Sequence, residues 1–203
     1  MIGTGETARV VWLCGGFLKG TYIMYNVRHL PLRGALLVEL PMSKDARGSF
    51  VKAFHAPTYL DLGIFFELRE SYYSMSAKHV VRGMHFQIPP HQHSKIVFCP
   101  RGAILDVILD LRTSSPTYGQ CFATELTEAN HTAIFIPQGF AHGFKSLTDD
   151  AMTYYLVSTE YSMEHDKGIR YDTIGFDWGT EVAEMSARDL KFPALRDFQS
   201  PFA

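Results

Sequence analysis

The sequence predicts an all-β fold, a sandwich or a barrel, formed by a single domain. Apolar runs of about five to eight residues recur along the chain, turns rich in Gly, Pro and Asp separate them, and helical periodicity is scarce. The chain has 203 residues, of which 46% are hydrophobic, and this is enough for one well-buried core. No internal repeat or linker divides the chain.

The bulk properties exclude several classes of protein. A formal net charge of −2 gives no electrostatic reason to bind nucleic acid or an anionic membrane. The three cysteines, Cys14, Cys99 and Cys121, show no CxxC spacing, so the sequence suggests neither a disulfide framework nor a zinc site. No apolar run approaches the ~20 residues that span a bilayer. We therefore expect a cytoplasmic protein.

Residues 1–23 differ from the rest of the chain. They contain the apolar run VVWLCGGFL, which could serve as the core of a signal peptide. However, Gly15 and Gly16 interrupt this run, and Glu6 precedes it. We therefore interpret 1–23 as a peripheral tail, disordered or not native, and 24–203 as the domain.

Short strands and turns follow one another up to residue 79. The elements expected there are strands at 35–40 and 49–54, a turn at 44–48, a short helix at 56–63 and an aromatic-rich strand within 65–76. In the last of these we expect Phe66, Leu68 and Tyr72 to face inward.

The second half continues in the same way. We expect two strands joined by a turn at 100–102 and a further strand after Pro116. Two strands with a tight turn between them should follow across 131–147, and another strand at 151–161. Near the C-terminus, Ser186 is expected to cap a short helix that has Asp189 at its third position.

The stretch VVRGMHFQIPPHQHSK at 80–95 concentrates the polar side chains suited to chemistry. A strand directs alternate residues to one face, so His85 and Gln87 should point the same way. Arg82 and Lys95 flank them. A second stretch, IPQGFAHGF at 136–144, supplies His142.

The motif IPQGFAH resembles the second motif of the cupins, which are small jelly-roll barrels. Together with KDARGSF, RGMHFQ, DVILDLRTSSPTYG and SARD in compatible order, it makes 30–193 resemble the dTDP-4-dehydrorhamnose 3,5-epimerase family. The resemblance implies a jelly-roll β-sandwich with a few short helices and a C-terminal helical segment. It also implies a homodimer with exchanged strands, no metal or other cofactor, and a nucleotide-diphosphate 4-keto sugar as substrate.

The resemblance assigns four catalytic roles. The reaction removes a proton from a carbon beside a ketone and returns one to the opposite face, which needs a base, an acid and a group that stabilises the enolate. His85 matches the base, Asp189 its carboxylate partner, Lys95 the cation near the keto oxygen, and Tyr155 the acid. A slip of one residue would select Tyr154 instead.

Other positions match the substrate site. The residues concerned are Arg47, Lys52, Glu70, Arg82, Gln87, His142 and Tyr161. Arg47, Arg82 and His142 would approach the nucleotide and the diphosphate. Tyr161 would stack on the base or the sugar, with a plain surface tyrosine as the alternative. Asp106 is expected to be a buried support for His85 or an Arg.

Some positions depart from the family pattern. Lys52 stands where the family usually has a Glu that accepts a hydrogen bond from thymine. Glu70 replaces a usual Gln, Tyr72 a usual Asn, and Phe98 and Leu156 usual basic residues. Because Lys52 exchanges an acceptor for a donor, the identity of the nucleotide stays open, and cytosine would suit Lys52 better than thymine.

Two other functions stay open. One is a sugar-nucleotide-binding cupin without turnover. The other is a metal-dependent cupin enzyme that uses His91, His93 and His142. No carboxylate follows the HxH pair at the required spacing, and Lys95 would repel a cation. We therefore expect His91 and His93 to be solvated loop residues.

Overall fold

The structure, a computed structural model, describes residues 7–13, 22–179, 181–182 and 184–203. Its strands are β1 (Thr7–Leu13), β2 (Tyr22–His29), β3 (Leu36–Glu39), β4 (Met42–Asp45), β5 (Gly48–Val51), β6 (Glu70–Ser76), β7 (Val81–Gln87), β8 (Lys95–Arg101), β9 (Ala103–Asp110), β10 (Cys121–Thr127), β11 (Thr132–Ile136), β12 (Phe140–Ser146), β13 (Ala151–Val157) and β14 (Asp166–Gly168). The helix α1 spans Ala56–Asp61, and 3₁₀ turns cover Tyr171–Thr173, Asp189–Lys191 and Leu195–Asp197.

Two antiparallel sheets pack face to face. The larger has seven strands in the order β1-β2-β3-β11-β8-β13-β6, and the smaller has five in the order β10-β9-β12-β7-β14. A separate two-stranded ribbon, β4-β5, carries mostly exposed side chains. The predicted all-β sandwich is therefore confirmed.

Apolar side chains cover both faces of each sheet. The inner faces meet in a core that includes Val97 and Ile134 from the larger sheet and Ile108 and Phe144 from the smaller one. The outer face of the larger sheet is covered by α1 and the segment after it, and that of the smaller sheet by the C-terminal segment. Strands buried on both faces read as continuous apolar runs.

Several local predictions are confirmed. The expected helix at 56–63 is α1, and the turn at 100–102 joins β8 to β9. Oγ of Ser186 accepts the backbone N–H of Asp189 at 3.0 Å, as expected. The 3₁₀ turn itself begins at Asp189, with Arg188 as its N-cap residue, so the predicted third helical position of Asp189 is wrong. The inward orientation of Leu68 is wrong: this side chain precedes β6 and is exposed.

Much of the predicted tail at 1–23 lies outside the described residues. Its described part includes β1, which pairs with β2 at the edge of the larger sheet in the register Thr7 opposite Arg28. The predicted boundary between residues 23 and 24 falls inside β2. The separability of this segment from the domain stays a prediction. None of the described helices is long and apolar enough to cross a membrane.

Candidate active site

A cavity of about 300 Å³ opens between the two sheets, where β7 faces β8 and β13. Its lining includes most of the predicted site residues together with several that were not predicted. The lining residues are Tyr72, Ser74, Arg82, His85, Phe86, Gln87, His93, Lys95, His142, Tyr155, Tyr161, Asp166 and Arg188.

A β-bulge in β7 brings Arg82 to the same face as His85 and Gln87. Arg82 and His85 are three residues apart, so a regular strand would direct them to opposite faces. Between these two residues, three steps along β7 oppose two steps along β12. Gly83 lies in the bulge with φ +134°, and a Cβ there would lie 2.5 Å from Cα of Gly143. Arg82, His85 and Gln87 therefore share one face.

His85 and Asp189 form a hydrogen-bonded pair. Nε2 of His85 lies 2.9 Å from Oδ1 of Asp189, and Oδ2 accepts the backbone N–H of Gly83 at 3.2 Å. Burial favours a higher pKa for Asp189, but the bonds from His85 and Gly83 outweigh it and lower the pKa below the usual value. The ionised carboxylate accepts Nε2–H, which leaves Nδ1 as the basic nitrogen of a neutral imidazole.

Lys95 begins β8 on the opposite sheet and is buried. Its Nζ donates to the backbone oxygen of His85 at 3.3 Å, so the ammonium contacts the strand that carries the imidazole. Burial lowers the pKa of Lys95 from 10.5 to about 8, although Asp166 and Asp106 oppose this change. The side chain is therefore still mostly charged at pH 7.

Tyr155, and not Tyr154, lines the cavity. Neighbouring residues of β13 face opposite sides of the sheet, and Tyr154 stacks on Phe98 at 5.2 Å on the outer side. The Tyr155 ring stacks on the Tyr72 ring, with 4.9 Å between the ring centroids. It also makes a T-shaped contact with the His142 ring, with 5.9 Å between the centroids. Burial raises the pKa of Tyr155 above its usual range, so the phenol keeps its proton.

Asp106 supports His142 and not His85 or an Arg, which corrects the prediction. Nε2 of His142 lies 2.7 Å from Oδ2 of Asp106, and both side chains are buried. His142 pairs with Ile108 in the β12–β9 register, so Asp106 is its diagonal neighbour on the inner face. Burial lowers the pKa of His142 despite the carboxylate. The neutral ring donates its Nε2–H to Oδ2 of Asp106 in a hydrogen bond, which leaves Nδ1 as an acceptor.

Gln87 connects two loops. Its Nε2 donates to the backbone oxygens of His91 at 2.9 Å and Glu160 at 3.2 Å, and its Oε1 accepts the backbone N–H of Ser162 at 2.6 Å. The Gln87 amide thus links β7 to the two loops that contain these backbone groups. Its predicted contact with substrate stays a prediction.

Arg82 is tied to the edge strand β6. Its Nε donates to Oγ of Ser76 at 3.0 Å and its Nη2 to the backbone oxygen of Met75 at 3.3 Å. These bonds leave further guanidinium N–H groups free to point into the cavity.

Glu70 and Tyr161 border a smaller cavity of about 220 Å³ beside the first. The backbone N–H of Tyr161 donates to Oε1 of Glu70 at 3.1 Å. The Tyr161 ring is largely exposed, and its hydroxyl donates to Oδ2 of Asp166 at 3.4 Å. Tyr161 therefore lines both cavities and Glu70 the smaller one, and the exposed Tyr161 ring is available for stacking.

The family model described as dTDP-4-dehydrorhamnose 3,5-epimerase matches residues 29–197. The chain belongs to this family.

An epimerase of this name from Methanothermobacter thermautotrophicus is 37% identical over 171 residues, which cover 82% of this chain and 92% of that protein. The crystal structure of the epimerase from Sulfolobus tokodaii has a TM-score of 0.82 at 36% identity, and the match covers 88% of this chain and 99% of that one. A Legionella pneumophila 3,5-epimerase in complex with dTDP-4-keto-L-rhamnose has a TM-score of 0.82 at 31% identity, with 86% and 95% covered. The fold is accordingly the cupin jelly roll of this epimerase family.

Two of the residues predicted for the substrate site line neither of the two cavities. Arg47 lies on the β4-β5 ribbon, where its guanidinium pairs with the Asp45 carboxylate at 2.6 Å and its side chain is 91% exposed. Lys52 follows the ribbon, and its backbone oxygen accepts the hydroxyl of Tyr25 at 3.2 Å. A single chain does not bring these two residues to His85.

Two departures from the epimerase pattern do not bear on the cavity. Phe98 and Leu156 pack in the core on the outer face of the larger sheet, whereas Lys95 and Tyr155 point inward. Tyr72 and Glu70, in contrast, border the two cavities.

Asp166 and Arg188 are charged residues of the cavity that were not predicted. Asp166 begins β14 opposite Gln87 and forms a 2.6 Å ion pair with Arg188, whose guanidinium lies over the Phe192 ring at 5.2 Å. Arg188 stands in SARD directly before Asp189, so its place in that motif was a signal for it. Asp166 lies in an irregular charged stretch and gave no signal.

The HxH pair shows a different arrangement from the expected solvated loop. His93 is half-buried and its Nδ1 lies 3.1 Å from Nε2 of Gln87, while His91 packs against His165 with a centroid distance of 4.4 Å. Burial lowers the pKa of His93 to about 2, so this ring is neutral. Within the part of the chain that the structure describes, no cluster of three or more His, Cys, Asp or Glu side chains is placed to hold a metal ion.

Proposed function

We propose that this chain is an isomerase that inverts C3, C5 or both in a nucleotide-linked 4-keto-6-deoxy sugar, for the biosynthesis of deoxysugars in surface polysaccharides or natural products. One observation carries the proposal: the His85–Asp189 pair belongs to one wall of the cavity, while Tyr155 and Lys95 project from the opposite sheet. A base and an acid on opposing walls suit inversion at a carbon held between them.

The proposed reaction needs no redox step. Nδ1 of His85 takes the proton from the carbon beside the ketone, and the C–H electron pair moves to form the enolate. The ammonium of Lys95 stabilises the developing negative charge on oxygen, an interaction that a buried site strengthens. The Tyr155 hydroxyl then gives its proton to the other face of the same carbon, and the ketone re-forms. Transfer of the proton from the imidazolium to solvent and protonation of the phenolate restore the enzyme.

Asp189 has two tasks in this proposal. It fixes the tautomer that presents Nδ1 as base, and it stabilises the imidazolium after proton transfer. The His85 side chain is 32% exposed and Asp189 only 5%, so the base reaches the cavity while its partner is shielded from water. No cofactor is required by these steps.

We infer that the working form is a homodimer in which a second copy supplies Arg47 and Lys52 to the cavity. The β4-β5 ribbon that carries Arg47 is exposed, and so is Phe50 on it. The edge strand β6 beside the cavity exposes Tyr73 and Met75. Exposed aromatic residues on an unpaired strand edge favour association with another chain.

Relatives in this family are named for dTDP-linked substrates, and dTDP is therefore the first nucleotide to test. If Lys52 of a second copy reached the base edge, a CDP-linked sugar would suit it better, because cytosine presents acceptors there. A location in the cytoplasm stays a prediction.

The experiment that tests the function is incubation of the purified full chain in D₂O with dTDP-, CDP-, UDP- and GDP-linked 4-keto-6-deoxyglucose, followed by NMR. Deuterium at C3, C5 or both, with inverted product, is the expected result. If none of the four sugars gains deuterium while one of them binds, the chain is a non-catalytic sugar-nucleotide-binding protein and the proposal is wrong.

A further inference from the structure

Tyr72 and Tyr155 form a directly opposed pair on neighbouring strands. Tyr72 on β6 is the register partner of Tyr155 on β13, and both residues line the cavity. Their ring centroids lie 4.9 Å apart with 26° between the planes, which is a stacked geometry. Such cross-strand aromatic pairs hold both rings in one orientation.

The ring of Tyr155 has one other aromatic contact among the described residues. The His142 ring makes a T-shaped contact with it, with 5.9 Å between the ring centroids and 74° between the planes. His142 is itself held by Asp106 at 2.7 Å. Tyr155 is thus confined by a fixed imidazole at one side and by the Tyr72 ring on its face. Without the Tyr72 ring, that face of Tyr155 would open to the cavity.

Tyr72 also borders both cavities. It lines the catalytic cavity and the smaller one next to it, and 43% of its surface is exposed. Burial raises the pKa of its hydroxyl to about 12, with Glu70 and Asp166 adding to the effect. Its phenol therefore stays neutral. The Tyr72 side chain acts through its flat ring, which separates the two cavities.

We propose that Tyr72 is a positioning residue for the reaction: its ring holds Tyr155 so that the Tyr155 hydroxyl faces the carbon opposite His85. This inference rests on the proposed function, in which Tyr155 is the acid. It separates the two half-reactions, because loss of the stack should impair reprotonation by Tyr155 and leave proton removal by His85 intact.

The test compares Tyr72→Phe, Tyr72→Ala and Tyr118→Ala with the wild type in D₂O. Tyr118 is a matched control, since 42% of its surface is exposed but it lies between β9 and β10 and lines neither cavity. For each protein, NMR gives the rate of deuterium wash-in and the rate at which inverted product forms. Thermal melting verifies that each variant is folded.

The expected result is a ratio of inversion to wash-in that falls roughly two- to tenfold in Tyr72→Ala, the range of one aromatic stack. Tyr72→Phe keeps the ring and should restore the ratio, and Tyr118→Ala should leave it unchanged. An unchanged ratio in Tyr72→Ala beside an active wild type would overturn this inference alone. A wild type without wash-in would overturn the proposed function and this inference together.

Discussion

Gly168 leaves the space in which the Phe192 ring packs. A Cβ on Gly168 would lie 2.2 Å from Cε2 of Phe192, so no larger residue fits without moving the ring. Gly168 is the register partner of His85, and the Phe192 ring meets the imidazole edge-on at 5.8 Å. The absence of a side chain at one position of β14 therefore lets a C-terminal aromatic residue support the proposed base.

The first prediction follows from this packing. Gly168→Ala should displace Phe192, lower the free energy of unfolding by about 1–3 kcal/mol, and reduce wash-in at the carbon that His85 deprotonates. Denaturant unfolding and NMR in D₂O measure the two effects. Phe192→Ala removes the ring with which the new methyl group clashes. In that background, Gly168→Ala should hardly change the free energy of unfolding. Equal costs in both backgrounds would contradict the steric explanation.

The second prediction concerns the base. His85→Asn should reduce wash-in by about 10²–10⁴-fold, because the proton acceptor is lost. Asp189→Asn keeps the imidazole but loses the charge that fixes its tautomer, so we expect a smaller loss. His91→Asn is the matched control, since His91 contacts His165 and does not line the cavity. Near wild-type exchange in His85→Asn would exclude His85 as the base.

Local rules account for what could be predicted from the sequence. Strand alternation put His85 and Gln87 on one face, and the bond between Ser186 and Asp189 and the helix α1 were readable from residue type and spacing. The resemblance to the family pointed to the His85–Asp189 pair across more than a hundred residues. Both kinds of signal are carried by short stretches of chain.

What could not be predicted depends on how the strands pair. Asp106 has its partner in His142 because β9 and β12 are neighbours in a particular register, and no local pattern shows that register. Asp166 faces the cavity because three residues form the edge strand β14. Arg82 shares a face with His85 only because of the bulge at Gly83, where close approach to Gly143 rather than sequence pattern decides the geometry.

The third prediction separates the acid from the base. Tyr155→Phe should keep deuterium wash-in and yield little inverted product, because the donor on the second face is missing. Tyr154→Phe is its matched control, as Tyr154 packs on the outer face of the sheet against Phe98. Both rates come from one NMR time course. A strong defect in Tyr154→Phe beside a normal Tyr155→Phe would contradict the assignment.

The fourth prediction is a pH dependence set by Lys95. Its pKa is lowered from 10.5 to about 8, and the ammonium is the active form, so kcat/KM should fall as pH rises through about 8. Tyr155 keeps its proton in this range, since burial raises its pKa. Lys95→Arg should move this decline to higher pH, because guanidinium stays charged. A decline at the same pH in Lys95→Arg would assign it to another group.

The same shift affects stability in the opposite sense. Between about pH 8 and 10.5 the folded chain binds fewer protons at Lys95 than the unfolded chain, so this residue's contribution to stability rises with pH there. Below about pH 8 the buried ammonium lowers the free energy of unfolding by roughly 3 kcal/mol, which is the lowering of the Lys95 pKa expressed as a free energy. Lys95→Met should therefore raise the melting temperature at pH 7 while it lowers activity.

The last prediction tests whether a second copy completes the site. Arg47→Ala should weaken nucleotide-sugar binding although Arg47 is remote from the cavity of its own chain. If Arg47 acts on the partner's cavity, a mixed dimer of Arg47→Ala and His85→Asn chains contains one intact site, made from the His85 of one chain and the Arg47 of the other. After unfolding, mixing and refolding, random pairing would restore about a quarter of wild-type sites. If both residues served the same chain's cavity, each mixed dimer would hold only the two defective sites and the mixture would be no more active than the average of the separate variants. Recovered kcat/KM in the mixture, compared with each variant refolded alone, therefore decides between the two arrangements.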